Sequence, residues 1–527
     1  MKRTNTQKLE RDAIKQNGIL PNNARRKRVG LTTQIRKQQR QATISKRRNP
    51  AAVKSHEKAD KTWRLLTKNL EAFMRYLNSD DSRKQIQSAH MFRLVLSKKE
   101  NPPIDEILGF GCIKRIIELL DDPGRNIALQ MELLWILCNI AVGTTAHVKF
   151  LLDLNALPRI LSRVASDHPS LRSQALWTLA NIAGDCPEIR DEVLRAGVIP
   201  HLKKIFSSIE DVDTKRQLAW LVLNLVRGKP SPDWAYVGEL VGLLESLITV
   251  EDIEALKDVA WAFSFVTDRN GPPLRALVSK STLVGQAINL IRTVDDEDLI
   301  FTLMRGVVNV LAGDEQVVEA VIGKGILGVV HACLGHTSEK VRKQAMWALS
   351  NVMVGPLRHI TAVFSHNMML PAINLLKSDA LSVRCEAVWC VSNCLQRASV
   401  EQFWCILQYG AIEGLCQFIT NTSSDPKAVL ESLKALEKLL QFGTAQRKPD
   451  GDNLVALAIE ELNGLEALEK LQYHTIEDIF HLSQHIIEKY FDGEEDVQFT
   501  RMQPEVGSNN QFVFSQPKNP SQGFNFG

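Results

Sequence analysis

Five tryptophans in this 527-residue chain are each followed, four residues later, by an asparagine. The pairs are Trp135/Asn139, Trp177/Asn181, Trp220/Asn224, Trp347/Asn351 and Trp389/Asn393. Residues i and i+4 share one face of an α-helix, about 6 Å apart, so each pair projects in one direction. A carboxamide can donate to a carbonyl and accept from an N–H. A ladder of carboxamides can therefore hold the main chain of an extended peptide without reading its sequence. Indoles stacked along a groove leave slots that suit the aliphatic stem of lysine or arginine. Each indole face adds ~0.5–2 kcal/mol of attraction for the charge. Asp185, Glu254, Asp258, Asp268 and Glu386 lie near these stretches and would select positive heads. The chemistry expected is recognition of an extended basic peptide. Core packing gives no reason to repeat an asparagine at a fixed offset.

Other chemistries find no support. The chain has no Walker loop, G-x-S-x-G, H-E-x-x-H or dinucleotide fingerprint. Its histidines are scattered, so we expect no enzyme, no cofactor and no small-molecule substrate. Cys385, Cys390 and Cys394 lie close together, but no histidine or second cysteine pair sits at zinc-finger spacing. They read as small buried side chains rather than as a metal site. No apolar run reaches the ~18 residues that span a bilayer. The basic, polar N-terminus lacks a secretory apolar segment. The expectation is a soluble, intracellular chain without a membrane span.

The elements that must position the pairs are helices. From about residue 70 to 490, apolar residues recur at i, i+3, i+4 and i+7, the helical period. The tryptophans at 135, 177, 220 and 261 are spaced 42, 43 and 41. Arg305 takes the next place, 44 on, and Trp347 and Trp389 follow at 42 and 42. A second phrase recurs with them: "DLNALPRILSRV", "RAGVIPHLKKIF", "GKGILGVVHACL", "QYGAIEGLCQFI". It reads as a turn carrying Gly or Asn followed by an amphipathic helix. A period near 42 with two or three helices per unit indicates armadillo or HEAT repeats. The expected fold is all-α, a right-handed armadillo-repeat superhelix of about ten repeats. A disordered basic N-terminal arm and a disordered C-terminal tail are expected to flank it.

Charge divides the chain the same way. Residues 1–50 hold 15 Lys/Arg against two acids, while the whole chain is +4, so the other 477 residues carry −9. A basic arm is attached to an acidic body. Such an arm binds nucleic acid, an acidic protein or the body itself. The division expected is an arm at 1–50, a linker at 51–70, the repeats at 71–490, and a tail at 491–527 that is acidic first and then low in complexity.

These residues, in this order, resemble the importin-α (karyopherin-α) family. The resemblance covers almost the whole chain. It rests on "LRSQALWTLANIAGD", "NPPIDEIL", "IIEKYF" and the terminal "GFNFG", together with the Trp–Asn ladder. It implies a nuclear import adaptor whose cargoes carry mono- or bipartite basic signals. The major signal site implied uses Trp135, Asn139, Gly143, Thr144, Gln174, Trp177, Asn181, Gly184, Asp185, Trp220, Asn224, Glu254, Asp258 and Trp261. Within it Gly143, Thr144 and Asp185 would receive the key lysine. The minor site implied uses Arg305, Asn309, Trp347, Ser350, Asn351, Glu386, Trp389 and Asn393, with Arg227 separating the two. "RRKRVGLTTQIRKQQRQATISKRRN" resembles the importin-β-binding domain. Arg25, Arg26, Lys27, Arg28, Arg36, Lys37 and Arg40 would meet importin-β, and Lys46, Arg47 and Arg48 would occupy the chain's own groove. The resemblance further implies an export receptor at the C-terminal repeats around 460–495, contacts with nuclear-pore components, and shuttling between cytoplasm and nucleus.

The chain departs from the family at Phe265, Gln344, Ala312 and Ser173, where the family has tyrosine, glutamate, threonine and an acid. Each change removes a polar or negative group, so we expect the minor site to be the more weakened. The alternative reading is a catenin-like armadillo scaffold for another extended peptide. That class would show a basic groove without the Trp–Asn ladder. For residues 1–50 alone, direct nucleic-acid binding is the second reading.

Overall fold

The computed structural model describes residues 46–47, 56–98, 101–121, 126–207, 209–421, 425–447 and 451–491, and the two pairs 505–506 and 512–513. The arm residues assigned to importin-β, Arg48, and Phe524 and Phe526 of the tail lie outside them. The fold is an all-α armadillo-repeat array. Its strand pairing among the described residues is one antiparallel ribbon, with Glu505 opposite Val513.

Nine long helices mark the repeats. We label them α1 (Ser82–Leu96), α2 (Ile127–Ala141), α3 (Pro169–Ala183), α4 (Val212–Val226), α5 (Ile253–Thr267), α6 (Glu297–Leu311), α7 (Glu339–Met353), α8 (Leu381–Leu395) and α9 (Pro426–Gln446). Chain contacts form two units, Met1–His366 and Asn367–Gly527. In the first, α1 to α7 pack side by side, each against the next. In the second, α8 packs on α9, and α9 on Glu477–Tyr490.

Local chemistry explains the boundaries. Asp211, Asp252 and Asp296 cap α4, α5 and α6 by accepting from Thr214, Ala255 and Leu299 backbone N–H groups at 2.7, 2.9 and 2.8 Å. Pro169 opens α3, where a missing N–H is harmless. The recurrent Gly/Asn turn is a left-handed residue before the amphipathic helix: Asn155 (φ 58), Gly197 (φ 83), Gly325 (φ 81) and Gly410 (φ 85). Only glycine and, less readily, asparagine enter that region at low cost.

The stretch read as linker is mostly helical. His56–Lys68 forms a helix whose Leu66 is fully buried and whose Trp63 stacks on Phe110 at 6.1 Å. A truncation that spares the fold must therefore stop before residue 56.

Candidate functional site

The Trp–Asn pairs lie on α2, α3, α4 and α7 in the first unit and on α8 in the second. The carboxamides have a role that spacing alone did not show. Those of the first unit, and Asn309 with them, reach one repeat back and donate to the preceding long helix or its end. Asn139 Nδ2 meets Ser97 Oγ at 3.0 Å and Asn181 Nδ2 meets Cys138 Sγ at 3.3 Å. Asn224, Asn309 and Asn351 reach the carbonyls of Ala180, Ser264 and Val308 at 2.9, 2.9 and 3.3 Å. Using the amide nitrogen between repeats leaves the oxygen available as an acceptor. At Asn139 that buried oxygen has no partner among the described residues.

At α3 the acceptor is used. Arg47 N–H donates to Asn181 Oδ1 at 2.9 Å, and the Arg47 carbonyl accepts from Trp177 Nε1 at 2.8 Å and Asn181 Nδ2 at 3.2 Å. One residue of the arm is thus held at both its main-chain groups by one Trp–Asn pair. The indole N–H as a main-chain donor was missed in the sequence, although donor inventory alone suggests it. Trp135 Nε1 and Trp347 Nε1 are buried with no partner among the described residues. They are the same donor on other rungs.

The side chains of the arm find the carboxylates. Lys46 Nζ donates to the Gly143 carbonyl at 2.8 Å and forms a close ion pair with Asp185. The pair is largely dry, with Lys46 15% and Asp185 4% exposed. Asp185 lies just past the end of α3, one turn beyond Asn181, so the helix that fixes the main chain also fixes the charge. Gly143 must lack a side chain, because a Cβ there would fall 2.2 Å from His147 Nδ1. That ring accepts from Thr144 N–H at 3.1 Å, and Thr144 Oγ1 accepts from His147 N–H at 3.4 Å. Thr144 is therefore a helix cap that shapes the lysine pocket, legible as a T-x-x-H box. Arg47 Nη2 donates to Asp258 Oδ1 at 2.7 Å, and its guanidinium lies 4.7 Å from the Trp220 ring centre.

Other expectations change in detail. Trp177 and Trp220, expected to stack along the groove, meet edge to face, centroids 6.3 Å apart and planes at 85°. Two indoles are covered by the chain's own cations: Arg93 lies 4.3 Å over Trp135, and Arg305 lies 5.6 Å over Trp261. These partners are one repeat apart, and repeat arithmetic could have paired them. Glu254 is 64% exposed and pairs with Lys257 at 3.4 Å. Gln174 is buried, its Nε2 without a partner among the described residues. Arg227 donates to the Gly184 carbonyl at 2.6 Å, beside the lysine pocket. Gln344 is buried on α7, and Ser350 Oγ donates to the Trp347 carbonyl at 3.1 Å. Glu386, Trp389 and Asn393 share a face of α8 in the second unit.

Burial pushes the Asp258 carboxyl up to about 6, and Arg47 opposes that rise while neighbouring Glu254 adds to it. The sign follows from linkage. A basic ligand needs this carboxylate ionised, and without a cation the carboxyl sits higher still. Binding should therefore weaken as pH falls from the higher ligand-free value toward about 6 and level off below it, by at most ~10-fold per pH unit for one coupled proton. Peptide titrations between about pH 5 and 8 test this, and Asp258→Asn should flatten the profile.

The fold and this face define an armadillo-repeat protein whose long helices can seat an extended basic chain. Comparison with known proteins is specific. Residues 11–90 match the importin beta binding domain, 144–184 the armadillo/beta-catenin-like repeat and 453–505 the atypical Arm repeat. Importin subunit alpha-1b of Oryza sativa subsp. japonica is 31% identical over 463 residues, covering 87% of this chain and 85% of that one. Importin subunit alpha-4 of Arabidopsis thaliana is 30% identical over 546 residues, covering 99% of each. A solved engineered protein matches the fold with a TM-score of 0.67 and 24% identity, over 80% of this chain and 98% of that one. The chain belongs to the importin-α family. It is a nuclear import adaptor with an importin-β-binding domain, and that match runs past the arm into α1.

Proposed function

We propose that the Trp–Asn face binds the lysine- and arginine-rich localisation signals of cargo, and that Lys46 and Arg47 fill it until importin-β takes the arm. The observation that carries this reading is the arm itself. A basic residue pair sits with its main chain on Asn181 and Trp177 and its cations on Asp185 and Asp258. The major site centres on α2 to α5, with Asp185 reading the key lysine. The minor site uses Arg305, Asn309, Trp347, Ser350 and Asn351 of the first unit; Glu386, Trp389 and Asn393 of the second unit carry the same residue types for a signal peptide. The minor site is the weaker of the two, because Gln344 and Ala312 remove polar or negative groups. Arg227 separates the sites by placing a cation in an acidic face. The adaptor shuttles between cytoplasm and nucleus and is returned by an export receptor at the C-terminal repeats.

The test is a titration of a labelled lysine-rich signal peptide against the full chain with and without importin-β. Peptide binding should strengthen when importin-β is added. Absence of binding under both conditions overturns the reading.

A further inference from the structure

Beside the lysine pocket lies a cavity of about 300 Å³, between the end of α3, the start of Pro187–Arg195 and the end of α4. Its walls include Asp185, Arg190, Asn224, Arg227 and Lys229. Arg190 is almost wholly buried. It pairs with Asp191 at 2.8 Å and donates to the Arg227 and Pro230 carbonyls at 2.6 and 3.0 Å. Lys229 lies 3.5 Å from Asp268. Arg227 differs from both: among the described residues its guanidinium makes no ion pair and donates only to the Gly184 carbonyl. Burial and the nearby Arg190 push its guanidinium down to about 10. A half-buried cation beside another cation needs an anion, and the cavity has room for one.

The single carboxylate in this wall is Asp185, and Asp185 is taken by Lys46. With a lysine bound, the Asp185 charge is offset and the wall presents the Arg227 guanidinium beside Arg190 and Lys229, each of which keeps its own carboxylate partner. We propose that the cavity is an oxyanion site coupled to the lysine pocket, taking a phosphate carried on a bound basic peptide beside its lysine. The inference rests on the reading of Asp185 as the lysine site. Coupling is reciprocal: lysine binding creates the anion site, and the anion tightens the lysine. Arg227, which repels a purely basic peptide, becomes an attractive contact for a phosphorylated one. Arginine suits the role, because its fork matches phosphate oxygens in pairs.

The test uses the full chain with Lys46→Ala and Arg47→Ala, so that the site is open. Labelled lysine-rich peptides carrying serine or phosphoserine at each position flanking the lysine are titrated at constant ionic strength. At one flanking position phosphorylation should tighten binding about tenfold, within the range usual for coupled sites. That ratio should fall to near one with Arg227→Gln and be reduced with Lys229→Gln, an exposed position that tolerates change. Inorganic phosphate should erode the gain of the phosphopeptide. If inorganic phosphate instead tightens the unphosphorylated peptide through Arg227 while no phosphopeptide gains, the oxyanion site stands and its source is the free ion. If the unphosphorylated peptide binds but neither form of phosphate helps, or the gain survives both substitutions, the inference is wrong and the adaptor reading stands. If the unphosphorylated peptide does not bind, both fall.

Discussion

Asp185→Lys is expected to abolish recognition of basic peptides more completely than any other single charge reversal along the face. The carboxylate is nearly dry and forms a close ion pair with Lys46, whose ammonium also donates to the Gly143 carbonyl. Breaking a buried pair by removing one partner costs roughly 3–5 kcal/mol, because the other charge is left desolvated. Reversal adds repulsion. At about 1.4 kcal/mol per tenfold, affinity should fall by on the order of 10²–10³ or more. Glu254→Lys should cost far less, because Glu254 is 64% exposed and screened. Peptide titrations of the two reversals, on chains freed of the arm by Lys46→Ala and Arg47→Ala, decide the matter. Equal losses would show that Asp185 has no special role. Circular dichroism on both reversals checks that the fold is retained.

Lys46→Ala with Arg47→Ala in the full chain should tighten binding of a cargo peptide. Among the described residues the two make three main-chain hydrogen bonds, a lysine–carbonyl hydrogen bond, two carboxylate pairs and one guanidinium–indole contact. Individually these are modest, and Arg47 is partly exposed. Tethering makes them compete as an intramolecular ligand, at an effective concentration on the order of millimolar. A segment with intrinsic micromolar affinity would then weaken external peptides by roughly 10²–10³-fold, and the substitution should recover most of that. Adding importin-β to the unsubstituted chain should recover a similar factor, and adding it to the substituted chain little. If the substituted chain binds no more tightly than the original, the arm does not regulate the face. Truncation is a poorer test unless it ends before residue 56, because Leu66 belongs to the folded body.

Several features were legible without coordinates because they repeat. A tryptophan every 42 or so residues needs one helix per period to carry it, and the Gly/Asn turns had to be left-handed points between helices. Asp185 and Asp258 were legible as acids near those helices. Arg305 was read as a minor-site residue, but its contact with Trp261, and those of Arg93 and Cys138, were not, since each acts across a repeat boundary and the reading followed one helix at a time. The edge-to-face meeting of Trp177 and Trp220 was not legible for a related reason. Ring planes depend on rotamers set by the adjacent repeat, and the pattern of types says nothing about them.

The sequence by itself determined the helical period, the repeat, the charge division between arm and body, and the family. All four are one-dimensional regularities of apolar spacing, charge and motif order. Only the tertiary structure decided which atoms do the work. It turned the asparagine nitrogens back to the preceding repeat and left an oxygen for a peptide N–H. It brought Gly143, 42 residues from Asp185, to the same ammonium. It also left Arg227 at a cavity with no counter-ion among the described residues. Those outcomes depend on how neighbouring repeats stack, and stacking sets distances that no spacing within one helix contains.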